Sequence, residues 1–417
     1  VRVFDLRRAR SADGVRLTAA VAWEDSARPA RDVWIEVSPE LESALAGELD
    51  GFAVAASAVA QHHAEKRLLV EGTLCPRLAE GLAAATRLLA SWFPPSAPAP
   101  AIESRGTAPR FPPPEARSAV FLSGGLDSLF AVAQNRDRFP RDHPASFRDA
   151  VVVEGYIFGE AAGSERAIDY WGRTRRAAAS SAKAADLDPL FVRTNLRMLE
   201  DEVGFFAAKS HSSLLAAVAH LLSRRISSAS VAADLDVSRL RAWGSHPVLD
   251  PLYSGSALAV VHSGIETSRV GKAARIAAWP EALGSLMVCT EGPLSSGALN
   301  CGRCEKCVRT LAALGPAAAA AASFERTEIT PATIDRLRPG LHPWAVAGFW
   351  TDLAGAFRSR GRHDLAGAAA RLVERSRVAD AWRLDRGWKG ALRRVDRRFL
   401  DSSLLRASRR LRSRRSA

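Results

Sequence analysis

Residues 123–128 read Ser-Gly-Gly-Leu-Asp-Ser. They follow the apolar run Ser118–Leu122 and precede Leu129, Phe130 and Val132, the pattern of a buried strand, a glycine turn and a helix. That order makes an anion site. The first amides of a helix have no intrahelical acceptor and point along the positive end of the helix dipole. Gly124 and Gly125 have no Cβ, so the backbone can approach a ligand closely. Ser123 and Ser128 add hydroxyl donors, and a phosphate or pyrophosphate fits the cradle. Asp127 is the discordant member. Its carboxylate repels phosphate unless a cation such as Mg²⁺ lies between, or unless it serves as a helix cap. No Gly-Lys-Ser/Thr follows, so the loop is not a Walker A loop.

The second chemical signal is Cys289, Cys301, Cys304 and Cys307, spaced C-x11-C-x2-C-x2-C. Thiolates at x2 spacing converge on one tetrahedral ion, and an upstream fourth closes the shell. Four sulfur ligands leave no open position for water, so a zinc ion here is structural. An iron–sulfur cluster is the rival; zinc is preferred because no cysteine of the cluster is followed by proline. Gly302 suits the tight turn between two ligands.

These residues need a scaffold. Strands are expected at 33–37, 67–70, 118–122, 150–158, 190–193 and 229–233. Helices are expected at 41–49, 52–64, 76–92, 165–185 and 205–224. From residue 118 onward strands alternate with helices, which argues an α/β fold with a doubly wound, mainly parallel sheet. Ligands sit beyond the carboxyl ends of such strands. That rim collects Ser123–Ser128, Gly155–Phe158, Thr194–Asn195 and Asp234. Asp234-Leu235-Asp236 and Trp243-Gly244-Ser245-His246-Pro247 with Asp250 could hold a substrate there. Residues 1–93 read as a small accessory α/β domain. Residues 94–117, with eight prolines from Pro94 to Pro114, read as a linker. Residues 118–317 form the nucleotide domain, and 318–417 are helical and Arg-rich. The adjacent His62 and His63 read as surface residues, and Cys75 as a small buried one.

The net charge of +13 lies at one end. Phe357 to Ala417 holds 19 Arg and Lys against 6 Asp and Glu, an excess equal to that of the whole chain. Within it Trp388, Leu392, Val395 and Phe399 repeat at helical spacing, and the residues from Arg409 are expected to be disordered. Such a tail suits a nucleic acid or another acidic partner. No run of 18 apolar residues predicts a membrane span. With no signal-peptide core and with clustered cysteines, the expected location is cytoplasmic.

The hexapeptide Ser123–Ser128 resembles the PP-loop of the N-type ATP pyrophosphatases. Cys301-Gly302-Arg303-Cys304-Glu305-Lys306-Cys307, with Cys289 upstream, resembles the zinc site of the 7-cyano-7-deazaguanine synthases within that superfamily. The likeness covers about 118–312. It implies an adenine nucleotide alpha hydrolase-like fold and an AMP- and pyrophosphate-forming ligase, C–N bond forming, acting on a small-molecule carboxylate or amide. It implies ATP, Mg²⁺ and Zn²⁺ as cofactors. The pyrophosphate would lie in Ser123, Gly124, Gly125, Leu126, Asp127 and Ser128, and the adenine near Tyr156, Ile157 and Phe158. Thr194, Asn195 and Arg269 would also contact ATP. Lys272 matches a basic residue that precedes the zinc site in those enzymes, and acts with Ser123, Asp127 and Ser128. Tyr156-Ile157-Phe158-Gly159-Glu160 departs from the family's Asp-Tyr-Gly-Gln. A tRNA-modifying enzyme using the Arg-rich tail, and a non-catalytic ATP-binding scaffold, are the alternatives.

Overall fold

Strand pairing runs without a break from the strand Ala101–Thr107 in the amino-terminal region to the strand Ala259–Ser263. In the computed structural model, residues 1–383 are described apart from 12, 13, 95, 116, 295, 296 and 341, and so are Leu392 and Val395. The chain opens with β1 (Arg2–Arg10), β2 (Val15–Ala22), β3 (Arg31–Val37), α1 (Asp50–His62), β4 (Arg67–Leu74), α2 (Pro76–Trp92) and β5 (Ala101–Thr107). It continues with β6 (Arg117–Phe121), α3 (Leu126–Arg138), β7 (Phe147–Glu154), α4 (Glu165–Ala184) and β8 (Asp188–Thr194). Then come α5 (Val203–Phe205), α6 (His211–Leu221), β9 (Ile226–Ala232), β10 (Ala259–Ser263), α7 (Arg269–Ala277) and α8 (Pro280–Ser285). Last are α9 (Glu305–Leu314), α10 (Pro331–Asp335), α11 (Pro343–Ser359) and α12 (His363–Arg383).

The ten strands of the described residues form one sheet, in the order β10-β9-β6-β7-β8-β3-β2-β1-β4-β5. The pairs from β10 to β8 are parallel, as are β1–β4 and β4–β5; β8–β3, β3–β2 and β2–β1 are antiparallel. The chain is therefore α/β with a mostly parallel sheet. In β6 and β7 successive residues are buried, so both faces of these strands are covered.

The expected linker does not separate an accessory domain from a nucleotide domain. Residues 101–107 within it form β5, and one compact unit takes in Val1–Gly302 with Pro316–Thr327. The physical reason is a shared core. Phe52, Val54 and Leu82 belong to the same buried cluster as Phe121, Val151, Ala217 and Val231. A Cβ on Gly51 would stand 2.6 Å from the Ala217 carbonyl, so α1 and α6 pack in close contact. The second unit holds Arg303–Gly315 and the chain from Glu328. Its helices enclose Trp350, which is fully buried and donates its indole N–H to Glu305 at 2.9 Å. Helix α9 thus groups with the carboxyl-terminal helices rather than with the sheet. No helix among the described residues is long and apolar enough to cross a membrane. Trp388, Phe399 and the residues from Arg409 lie outside the described residues.

Other expectations shift locally. The helix expected over 41–49 is a 3-10 turn, Pro39–Ala44. Leu45 adopts an extended conformation, and the Ala46 amide goes to Leu221 instead. The strand expected to reach Phe158 ends at Glu154, because Gly155 turns the chain at φ 91°. The helix expected over 205–224 contains a π-helical turn at Phe206–Ser210.

Thr194 and Asn195, expected to contact ATP, are engaged elsewhere. Thr194 donates its hydroxyl to the Trp34 carbonyl at 2.6 Å. Asn195 accepts the Trp34 amide at 2.7 Å and donates to Asp32 O at 3.0 Å. Both side chains stitch β8 to β3, where only Ile35–Val37 and Val192–Thr194 pair. We expect Asn195→Ala to cost about 1–3 kcal/mol by leaving these backbone groups unpaired. Urea unfolding measures it; unchanged stability would show that the side chain is dispensable to this seam.

Candidate functional site

Ser123–Ser128 lies where the strand order reverses. From β6 the chain steps to β7 and β8 on one side, and then to β9 and β10 on the other. The gap beyond the carboxyl ends of β6 and β9 is the switch point at which open α/β sheets bind ligands. Here the loop has the conformation a phosphate site needs. Gly124 has φ 74°, a left-handed value that glycine adopts without strain. A Cβ there would stand 3.0 Å from that of Ala177.

Helix α3 starts with Gly125 at its N-cap and has no side-chain cap, so neither Asp127 nor Ser128 serves as one. Its first intrahelical bond joins Leu129 N to Gly125 O at 3.0 Å, downstream of the amides of Leu126, Asp127 and Ser128. The Leu126 side chain is buried, leaving its backbone as its contribution. Ser123 is exposed, and its Oγ lies 3.4 Å from that of Ser128. The Ser128 hydroxyl donates to Gly125 O at 3.0 Å.

The structure resolves the discord at Asp127. Arg269 donates to one carboxylate oxygen at 2.9 Å, and the Lys272 ammonium to the other at 3.3 Å. Burial of Asp127 pushes its pKa up, but Arg269 and Lys272 outweigh that and hold it below the usual carboxylate range. Two cations on one carboxylate leave the loop with net positive charge, as an anion site requires. Each oxygen accepts from one of these cations, so the carboxylate's charge is offset without a metal ion. The Lys272 side chain is only 3% exposed. Its ammonium also donates to Ala233 O, at the end of β9, and faces the Phe130 ring at 5.7 Å.

Tyr156, Ile157 and Phe158 pack against the cluster of Tyr170, Trp171, Ala177 and Met287, of which Ala177 and Met287 flank Gly124. The turn and the Ser123–Ser128 loop are therefore neighbours. The Tyr156 hydroxyl donates to His211 O at 2.8 Å. Burial, with Asp250 and Asp234 adding to it, pushes its pKa well above the ordinary phenol value. Asp234 and Trp243 meet at 3.1 Å, and Ser245 donates to Asp250 at 2.7 Å. Asp236 instead caps the short turn at Val237–Arg239. His211 and His262 join this region from α6 and β10; lone histidines at those positions carry no sequence signal. His62 and His63 lie near Glu200, and Arg28 bridges His63 and Glu200 at 2.7 and 3.0 Å, so a guanidinium holds the place a cation would take.

The four cysteines converge. Their Sγ atoms all lie within 4.8 Å of one another, with Cys289 and Cys301 3.5 Å apart. Four thiolates about 2.3 Å from one zinc ion stand about 3.8 Å apart, so the set fits and can hold a metal ion such as zinc. Gly302 has φ 67°, and a Cβ would lie 2.2 Å from Arg326 O, so the turn admits only glycine. Asn300, fully buried, accepts the amides of Val288 and Cys289 at 2.8 and 3.1 Å. Arg173 donates to the carbonyls of Cys289 and Leu299 at 3.1 and 2.8 Å. Two residues before Cys289, the Met287 amide donates to Gly124 O at 2.8 Å.

Two outcomes follow. Asn300→Ala should weaken metal binding about 10–100-fold in a chelator competition, since outer partners orient the ligands; equal affinity would assign Asn300 to folding alone. Asp127→Asn should cost about 3–5 kcal/mol at neutral pH, because it strips a buried ammonium of its anion. The Asp127 pKa is lower folded than unfolded. Its contribution is therefore full above the unfolded value and is lost as pH falls through the folded one. Urea titrations should show the gap between variant and parent closing in acid; a constant gap would contradict the pairing. Comparison of the chain with protein-family models, curated proteins and solved structures finds no match, which leaves function to be argued from these residues and their geometry.

Proposed function

We propose that the chain is an ATP-dependent adenylating enzyme of the PP-loop type, similar in its loop and cysteine site to the 7-cyano-7-deazaguanine synthases. One observation carries the reading: a glycine loop at the sheet's switch point, with Lys272 and Arg269 fixed on its Asp127. The pyrophosphate of ATP lies on the amides of 126–128 and the hydroxyls of Ser123 and Ser128, with adenine toward Tyr156–Phe158. A carboxylate or amide oxygen of a small molecule attacks the α-phosphorus. The bond to the bridging oxygen breaks, and pyrophosphate departs with the electron pair. Lys272 and Arg269 stabilise the charge that develops on it, and the preorganised amides add to this without reorganising. A metal held by Cys289, Cys301, Cys304 and Cys307 would take no part in the chemistry and would fix the segment before α9. The tail's charge favours one further reading, an RNA substrate gripped by its phosphates.

ATP–pyrophosphate exchange across a panel of carboxylic acids tests the proposal. Exchange should depend on one acid and fall at least about 100-fold in Lys272→Met, the scale of losing one preorganised charge-stabilising donor. No exchange with any acid, together with no ATP binding, would remove it. Salt-sensitive tRNA binding that is lost on deleting 357–417 would point to the RNA substrate.

A further inference from the structure

Beyond the phosphate loop, a second polar group is enclosed between β10 and the connection from β9. Asp250 is wholly buried at the head of the 3-10 turn Asp250–Tyr253. One of its oxygens accepts the His246 amide at 3.0 Å. The other accepts the Ser245 hydroxyl at 2.7 Å and meets His262 Nδ1 at 2.7 Å. His262 lies on β10, and its side chain is 2% exposed. An ionised carboxylate only accepts, so Nδ1 carries a proton, and the neutral form of the ring has its lone pair at Nε2. Among the described residues, Nε2 has no hydrogen-bond partner. A buried imidazole fixed in one tautomer, with its basic nitrogen left over, is built to exchange a proton with something the chain itself does not supply.

The surroundings fix this geometry. Trp243 is anchored on Asp234, and the Gly244 carbonyl accepts the Ser212 amide at 3.0 Å. A Cβ on Gly244 would stand 2.7 Å from His211 Nδ1 and 2.9 Å from Ala207 O, so the loop lies tightly on the π-helical turn. Such turns recur at functional sites. Backbone links also join His262 to the phosphate loop. The neighbouring Ser263 carbonyl accepts the Ala233 amide at 2.8 Å, and the Ala233 carbonyl accepts the Lys272 ammonium that pairs with Asp127.

We propose that His262, oriented by Asp250, is the base that takes a proton from an amine nucleophile, ammonia or a primary amine, at the carboxyl edge of β9 and β10. This rests on the adenylation reading. The amine lone pair attacks the carbonyl carbon of the acyl adenylate and a C–N bond forms. The C–O bond to AMP breaks, and its electron pair leaves with AMP. The surplus proton on nitrogen passes to Nε2, giving an imidazolium that faces the Asp250 carboxylate. Nothing is oxidised or reduced.

The full chain is assayed first for acid-dependent ATP–pyrophosphate exchange, then for AMP release with ammonium or hydroxylamine as acceptor. Hydroxylamine is largely unprotonated at neutral pH and strongly nucleophilic, so it leans less on a base. In His262→Gln the ratio of ammonium- to hydroxylamine-dependent AMP release should fall about 10²–10⁴-fold, the range for a lost general base. An unchanged ratio overturns the proposal while exchange keeps the adenylation reading standing. No exchange in the unaltered chain removes both. The imidazole ¹⁵N spectrum of the unaltered chain decides independently of activity. A signal absent from His262→Gln should show protonated Nδ1 and bare Nε2; the opposite tautomer overturns the proposal.

Discussion

A buried ammonium charge must be paired, and at Lys272 that requirement organises the ligand edge of the sheet. Its three neighbours come from two elements: Asp127 and the Phe130 ring on α3, and the Ala233 carbonyl just past β9. Satisfying one charge therefore fixes α7, the first turn of α3 and the tip of β9 against one another. Removing Asp127 leaves a desolvated cation without its counter-charge, which costs far more than losing an exposed ion pair does. The Ser123–Ser128 loop is thus held in shape by the fold itself, the condition under which fixed dipoles and charges act most strongly.

The same loop is tied to the cysteine cluster by a short route. Gly124 offers its carbonyl to the Met287 amide, and Cys289 follows two residues later. Arg173, on the helix whose Ala177 flanks Gly124, grips the Cys289 carbonyl. Thr174 adds a contact to the Met287 sulfur at 3.8 Å. A metal ion at the cysteines would stiffen one wall of the Ser123–Ser128 loop from a distance.

The strand–turn–helix around 123–128 was legible because its signals are local: an apolar run, two glycines and a new period. The cysteine spacing was legible for the same reason. The Asp127 pairing was not, since Arg269 and Lys272 lie more than 140 residues away in sequence and only the fold brings them together. Strand β1 escaped notice because five of its nine residues are charged. The regular alternation of β2, with every second residue buried, was readable and overlooked. Proline counting misled at 94–117: several of those prolines flank β5 rather than interrupt it, and edge strands tolerate them. Thr194 and Asn195 sit at a strand end as expected, but periodicity does not reveal that β3 would take up their polar atoms.

The seam between β3 and β8 has a consequence for biosynthesis. The two strands are separated by about 150 residues of chain and meet over three residue pairs. While a ribosome is still making the region before Asp188, β3 has its partner β2 on one side and nothing on the other. Its open edge, with Val33, Ile35 and Val37 facing what becomes the core, is then a template for pairing with other chains. A chain that folded as it was made would pass through a window in which β3 lacks one neighbour, and the emergence of Val192–Thr194 would end it.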